Sequence, residues 1–345
     1  MMSSDCNYVS FDTDKSAHCR ICDTGSDHTY FRIREMFFGT REQFDYFECS
    51  HCGTIQICDI PANLGRHYPS DYYSFAPART KSASKIEIAL RRRRSDAWLG
   101  NDIGIVGRLL ARMSRRKETY FEWIENTSLS TNSRIVDVGC GSGARLLKMQ
   151  RNGFRRLSGL DPFIDETIEY PNGVTVYKRS LADDIGSYDL IMLHHSFEHM
   201  PDPVATISDI ARCMSPEGRA LIRLPIAGNY AWRTYRENWF QLDAPRHLVI
   251  PTVRAMRMLA ATADLEVERY FFESKSDQFL SSEAYRQDIP LIEQKHLPRR
   301  SVDELARLKM LADRLNREED GDQGGFVLRW KRGKPSVGNA SEHGR

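Results

Sequence analysis

The sequence predicts a doubly wound α/β protein: a mostly parallel, seven-stranded sheet with helices on both faces, preceded by a small cysteine-bearing ribbon. Three observations carry this. Short β-branched runs alternate with helical stretches from residue 134 to residue 225, the pattern of a parallel sheet. The first of those runs, Ile135 to Val138, leads into Gly139-Cys140-Gly141-Ser142-Gly143 and then into helix-forming residues. Two Cys-x2-Cys pairs, Cys19/Cys22 and Cys49/Cys52, occupy the first sixty residues.

The glycine run sets the chemistry. Glycine adopts positive φ and has no Cβ, so the chain can turn sharply and lie close against a ligand. The helix that follows offers unpaired N–H groups to an anionic group. Glycines at spacing two differ from the G-x-G-x-x-G dinucleotide fingerprint, and the Gly-Lys-Ser/Thr of a P-loop is missing. Eighteen residues past Gly143, the run Leu157 to Leu160 ends in Asp161, placed to accept hydrogen bonds from both hydroxyls of a ribose. Further strands are expected at Val174–Tyr177, Tyr188–His195, Arg219–Pro225 and Leu265–Tyr270, with a closing strand at Gly324–Trp330. Helices are expected at Val204–Met214 and Pro251–Ala263, and over much of 274–318. Gly139 to Gly143, Asp161, Ala182 to Asp184 and His195 to His199 then meet beyond the carboxyl ends of the strands, where such sheets bind ligands.

Four thiolates from paired Cys-x2-Cys knuckles suit a tetrahedral Zn²⁺. The 26 residues between the pairs contain two strand-like runs, Tyr30–Ile33 and Phe44–Glu48, as in a zinc ribbon hairpin. A redox dithiol is the competing reading, disfavoured because no βαβ pattern surrounds either pair. His18, His51 and Cys58 are alternative ligands close by.

The chain has 345 residues, 41% hydrophobic and 28% charged, with a formal net charge of +2. That is an ordinary globular composition. It excludes a disulfide scaffold and a bulk polycation, and no apolar run is long enough to span a bilayer. Without a signal-peptide pattern at Met1-Met2-Ser3-Ser4, a cytoplasmic location is expected. The expected organisation is a disordered stretch at 1–15, the zinc ribbon at 16–76, a basic helical linker at 77–117, the sheet domain at 118–332 and a disordered tail at 333–345. Residues 79–117 carry twelve Lys/Arg against three acids, with apolar residues at helical intervals. This is a solvated linker, a face for an anionic membrane surface or phosphate-bearing substrate, or a nucleic-acid contact, the last weakened by the near-neutral charge of the whole chain.

The residues now quoted resemble a known family. Val136-Asp137-Val138-Gly139-Cys140-Gly141-Ser142-Gly143, Asp161, Tyr188-Asp189-Leu190-Ile191 and Leu221–Pro225 are similar to class I S-adenosylmethionine-dependent methyltransferases, whose sheet is Rossmann-like. The double Cys-x2-Cys, Tyr68-Pro69-x-Asp71-Tyr72-Tyr73, Glu198-His199-x-x-Asp202-Pro203 and Trp239-x-x-Leu242-Asp243-x-Pro245-Arg246-His247-Leu248 resemble a bacterial subgroup associated with sugar and surface-polysaccharide methylation. The likeness covers residues 19–75 and 118–331. It implies a cofactor cradle of Gly139, Cys140, Gly141 and Gly143, with Asp161 and the adjoining Pro162 at the ribose. Asp137 would stand near the methionine end and Asp183 near the adenine, with His195 at the rim.

A sulfonium methyl is a strong electrophile, so the protein must align a nucleophile and take its proton if that nucleophile is a hydroxyl. His199 and His247, with Glu198 beside them, are the candidate catalytic residues, since histidine titrates in the useful range. Trp239 either stacks on a sugar face or caps the core. The leading expectation is methyl transfer to a hydroxyl, or to a carbon, of a sugar nucleotide, glycan or related metabolite, which includes lipid-linked acceptors. The competing classes are a non-catalytic scaffold on the same fold and a nucleic-acid methyltransferase. The latter is weakened by His194-His195-Ser196-Phe197 in place of an Asn/Asp-Pro-Pro-aromatic tetrapeptide.

Overall fold

The computed structural model describes residues 17–68, 83–101, 104–114, 117–125 and 127–332. The two terminal segments expected to be disordered, the Pro69–Tyr73 part of the aromatic motif, and Cys6, Arg79, Lys81, Asp102, Arg115 and Arg116 lie outside these residues.

Two sheets organise the chain. The first is built from β1 (Thr29–Arg34), β2 (Gln43–Glu48) and β3 (Ile55–Ile57), paired antiparallel in that order. Along β1 and β2 the side chains alternate in and out, burying Phe31, Ile33, Phe44 and Tyr46. The helices before the main sheet are α1 (Lys85–Trp98), α2 (Gly104–Met113) and the single turn α3 (Tyr120–Trp123).

The second sheet contains β4 (Arg134–Val138), β5 (Arg156–Leu160), β6 (Ile168–Glu169), β7 (Thr175–Tyr177), β8 (Tyr188–His194) and β9 (Met214–Pro225). After β10 (Val249–Ile250), which belongs elsewhere, β11 (Leu265–Phe272) and β12 (Gln323–Trp330) complete it. Its order is β11-β12-β9-β8-β4-β5-β7-β6, with β9, β8, β4, β5 and β7 parallel. Seven of these strands were expected. The eighth, β6, is a two-residue edge strand antiparallel to β7, too short to show a period in sequence. β9 also begins at Met214, directly after its helix, so Pro216-Glu217-Gly218 lies within the strand.

Between strands run α4 (Ala144–Arg151) and α5 (Pro203–Cys213), then α6 (Tyr230–Tyr235), α7 (Val253–Ala261), α8 (Asp277–Arg286) and α9 (Val302–Arg317). α5 starts where Asp202 accepts the Ala205 N–H and Pro203 fills the first helical position.

The ribbon and the sheet domain are joined by a strand. β10 lies two residues past His247 and pairs antiparallel with β3, making the first sheet four-stranded. One hydrophobic cluster runs from Phe31, Tyr46 and Ile55 through Trp232, Trp239 and Ile250 to Ile191 and Ile222 of the main sheet. Likewise α1 is docked on the sheet domain: Asp96 accepts from Thr131, Arg94 donates to Asn152, and Trp98 packs on Phe121. What stays outside is apolar and basic. Ile86 and Leu90 of α1 and Ile105, Val106, Leu109 and Met113 of α2 are exposed beside Lys85, Arg93, Arg108 and Arg112.

Candidate active site

At the end of β4 the chain turns through three glycines, with φ of +69° at Gly139, +54° at Gly141 and +78° at Gly143. L side chains rarely adopt this region. Packing excludes them as well, since a Cβ at Gly139 would lie 2.5 Å from Cβ of Ser196. Ser196 follows β8, so this contact brings the loop after β8 onto the glycine turn. The Ser196 hydroxyl completes the join by donating to the Val138 carbonyl at 2.8 Å.

Asp161, at the end of the neighbouring β5, is buried and holds the turn. Its carboxylate accepts from the Gly141 N–H at 2.7 Å and the Phe163 N–H at 2.9 Å. A carboxylate has about four lone-pair sites, so two remain for a ligand's hydroxyl pair. Beside it stand Pro162 and Phe163, the latter 80% exposed and an apolar surface for a planar ring. Asp183 is exposed and accepts from Ser180, whereas Asp184 is buried under Tyr188 and Gly186. Cys140 is partly buried in the turn, and burial raises its thiol pKa well above the ordinary value.

Asp137 lies one residue before the last of β4 and is fully buried. Its Oδ2 is 3.4 Å from Arg145, and its Oδ1 has no hydrogen-bond partner among the described residues. Burial pushes its pKa up to about 6, against the pull of Arg145. An unpartnered buried carboxylate oxygen beside a glycine turn fits a ligand ammonium. The turn and its two acids thus match the requirements of S-adenosylmethionine.

The loop after β8 carries the histidines. His194 is buried between Trp123 and Arg223, which donates to its Nδ1 at 3.1 Å. Burial holds its pKa well below the usual range. His195, at φ +52°, is half-exposed with Nδ1 3.4 Å from Oε1 of the fully buried Glu198. His199 places Nδ1 2.8 Å from the Arg246 carbonyl and 3.0 Å from the Tyr68 hydroxyl. His247 places Nδ1 2.7 Å from the Gln241 carbonyl and Nε2 3.9 Å from Glu198. Burial lowers its pKa to about 4, leaving it neutral at pH 7. The His199 and His247 rings meet edge-on, 4.8 Å between centroids.

These side chains are positioned by the ribbon. Arg246 is fully buried, with Glu35 of the ribbon at 3.1 Å and Asp243 at 2.5 Å. The Tyr46 hydroxyl donates to the His247 carbonyl at 2.9 Å. Trp239 belongs to the core, at 1% exposure, and is not available to stack on a substrate. Sequence reasoning missed Arg223 and Trp123, whose cation–π contact (3.7 Å) and shared partner Glu273 form one wall of this region. An arginine inside the apolar run Leu221–Leu224 was the available signal.

The ribbon cysteines converge. The ligand atoms of Cys19, Cys22, Cys49 and Cys52 lie within 4.8 Å of one another, with Cys19–Cys52 and Cys22–Cys49 sulfur distances of 3.5 Å. Thiolates about 2.3 Å from a tetrahedral Zn²⁺ would be somewhat under 4 Å apart, so the set fits the ion. His18, His51 and Cys58 stand outside it.

Comparison with known proteins agrees with this geometry. Residues 111–270 match a family model described as a methyltransferase domain. The chain is similar to the ubiquinone biosynthesis O-methyltransferases of Ralstonia nicotianae (30% identical over 108 residues, 28% of this chain and 45% of that protein) and of Xanthomonas oryzae pv. oryzae (29% over 104 residues, 26% and 42%). It therefore spans less than half the length of these relatives. Among solved structures it is similar to a methyltransferase of calicheamicin biosynthesis (17% identical, TM-score 0.35, covering 54% of this chain and 65% of that one). It is also similar to a cyclopropane synthase from Mycobacterium tuberculosis (13%, TM-score 0.37, 78% and 94%). Residues 111–270 thus match a methyltransferase domain, laid on a Rossmann-like, mostly parallel α/β sheet behind a four-cysteine ribbon.

Proposed function

We propose that this protein transfers the methyl group of S-adenosylmethionine to a hydroxyl oxygen of a polar acceptor of the sugar-nucleotide or glycan class. The observation that carries the reading is the contact of the glycine turn with Ser196, which sets the cofactor cradle against the His195/Glu198/His199/His247 cluster. The O-methyltransferase names of the relatives support oxygen as the acceptor atom, and the resemblance of the Trp239–Leu248 motif supports a carbohydrate.

When bound, the sulfonium supplies an electrophilic methyl group. Asp161 would take the ribose hydroxyls on its remaining lone pairs, and Asp137 would hold the methionine ammonium with its unpartnered Oδ1. The histidine cluster then holds the acceptor hydroxyl and receives its proton. Transfer would form the O–CH₃ bond as C–S breaks, leaving the electron pair on sulfur. Calorimetric titration with S-adenosylmethionine followed by a screen of hydroxylated acceptors tests this. Micromolar cofactor binding with turnover of a hydroxylated acceptor is expected; folded, zinc-loaded protein that binds no cofactor would indicate the scaffold reading. Salt-dependent methylation of RNA or DNA would instead indicate a nucleic-acid substrate.

The α1–α2 pair bears on where the acceptor is met. Ile105, Leu109 and Met113 recur at four-residue spacing on an exposed face flanked by Arg108 and Arg112, which suits an anionic lipid surface carrying a lipid-linked acceptor. Co-sedimentation with phosphatidylglycerol vesicles, lost in neutral vesicles and in Leu109→Glu, is the expected result. Equal recovery of wild type and variant would contradict it.

A further inference from the structure

The cluster on the acceptor side has more lone pairs than protons to meet them. Glu198 is fully buried; its Oε1 faces the His195 Nδ1 at 3.4 Å, and its Oε2 has no hydrogen-bond partner among the described residues. A carboxylate withdrawn from water in this way needs a positive partner. Beyond His195 the next nitrogens belong to His247, at 3.9 Å, and His199, and both of those rings have already spent their protons. A backbone carbonyl only accepts, so the His247 Nδ1 bonded to Gln241 carries the proton and its Nε2 a lone pair. The same argument at Arg246 leaves His199 with a lone pair on Nε2, Tyr68 sharing the Nδ1 side. An imidazole N–H held by a carbonyl while the opposite nitrogen is left bare is the arrangement of a metal-binding histidine.

We propose that Glu198, His199 and His247 form a second metal site, distinct from the cysteine cluster, for a first-row divalent cation. Their ligand atoms lie within 4.8 Å of one another, and the His247–Glu198 pair is at 3.9 Å. Ligands about 2.0–2.2 Å from a common ion stand roughly 3–4 Å apart, so small ring shifts close the set. Two imidazoles with one carboxylate suit Zn²⁺, Mn²⁺ or Fe²⁺ over Mg²⁺ or Ca²⁺, which prefer oxygen donors. Three protein ligands leave coordination positions open. On the methyl-transfer reading, which this part rests on, an open position takes the acceptor oxygen that is methylated. An ion there would also acidify the hydroxyl that is methylated, and its proton would pass to His195, the ring of the cluster that is not a ligand, rather than to His199 or His247.

The test titrates Mn²⁺ into the full-length, zinc-loaded chain and follows loss of the free-ion paramagnetic resonance signal, with near-ultraviolet circular dichroism as the folding control. Mn²⁺ avoids the thiolate site and so reports the second one. One saturable equivalent is expected, weakened at least about tenfold in Glu198→Gln and in His199→Gln. The half-exposed His199 variant carries the test if the buried one misfolds. No saturable site, or equal binding by a folded His199→Gln, overturns the proposal. S-adenosylmethionine titrated into the same samples separates the two readings. Cofactor binding without a Mn²⁺ site removes the metal alone, and a Mn²⁺ site without cofactor binding supports the metal while contradicting methyl transfer.

Discussion

On the proposed function Asp161 does two jobs with one carboxylate, and its replacement exposes both. Asp161→Ala strips the Gly141 and Phe163 N–H groups of their acceptor and, on that reading, removes the acceptor of the ribose hydroxyls. Charge-assisted hydrogen bonds are worth about 1.5–3 kcal/mol each, so cofactor affinity should fall by about a hundredfold or more, as read by calorimetry. Gly139→Ala acts through the backbone. Positive φ and the Ser196 contact together should cost about 1–3 kcal/mol in a denaturant melt, with weaker cofactor binding as the turn deforms. Asp137 links binding to pH. Its carboxyl is pushed to about 6 by burial, above the ordinary value of 3.8, so the free protein holds a proton between those values. Ionised Asp137 therefore costs the fold stability above about pH 6, and an ammonium placed against it offsets that cost. Affinity for S-adenosylmethionine should tighten as pH rises through 6, by at most about tenfold per pH unit. A flat profile, or an unchanged one in Asp137→Asn, would remove the ammonium contact.

At the scale of elements the main claim is that the ribbon belongs to the active site. β10 extends the ribbon sheet two residues after His247, and Glu35 of the ribbon grips Arg246, whose carbonyl holds His199. Removing one partner of a buried ion pair costs about 3–5 kcal/mol, so Glu35→Ala should lower stability by that order. Because the lost contact stands behind the histidines and away from the glycine turn, kcat should fall while cofactor affinity holds. Chelation of the zinc that the four cysteines would hold should act in the same direction, since Thr252, which caps α7, donates to the Cys52 carbonyl. His247 adds a stability term of definite sign. Its pKa of about 4 in the fold is below its ordinary 6.5, so the unfolded chain binds the extra proton between those values. That contribution is complete above pH 6.5 and is lost as pH falls through 4. Thermal melts from pH 7 to 4.5 should show the slope, reduced in His247→Gln.

For the whole molecule, what the sequence made legible follows from how local each signal is. The glycine turn, Asp161 and the two cysteine pairs are short-range patterns whose residue types have few other uses; the structure joins Asp161 to the turn and brings the four cysteines together. Strands β4, β5, β8 and β9 could be read because buried parallel strands are continuous apolar runs. The joining of the ribbon to the sheet domain was not legible. It depends on Val249–Ile250 pairing with Ile55–Gln56 across almost two hundred residues, and a two-residue strand has no period. Arg223 was overlooked for the same reason: its partners His194, Trp123 and Glu273 are distant in sequence. Trp239 shows the converse, since an aromatic in a polar loop gave no sign that it fills the core between Trp232 and Asp322. The central claim is that the turn at Gly139–Gly143 with Asp161 is a cofactor cradle, and calorimetric titration of S-adenosylmethionine into wild type and Asp161→Ala tests it most directly. Saturable micromolar binding by the wild type, lost in a folded variant, is the predicted result. A folded wild type that releases no heat of binding, or a variant that binds equally well, would contradict it.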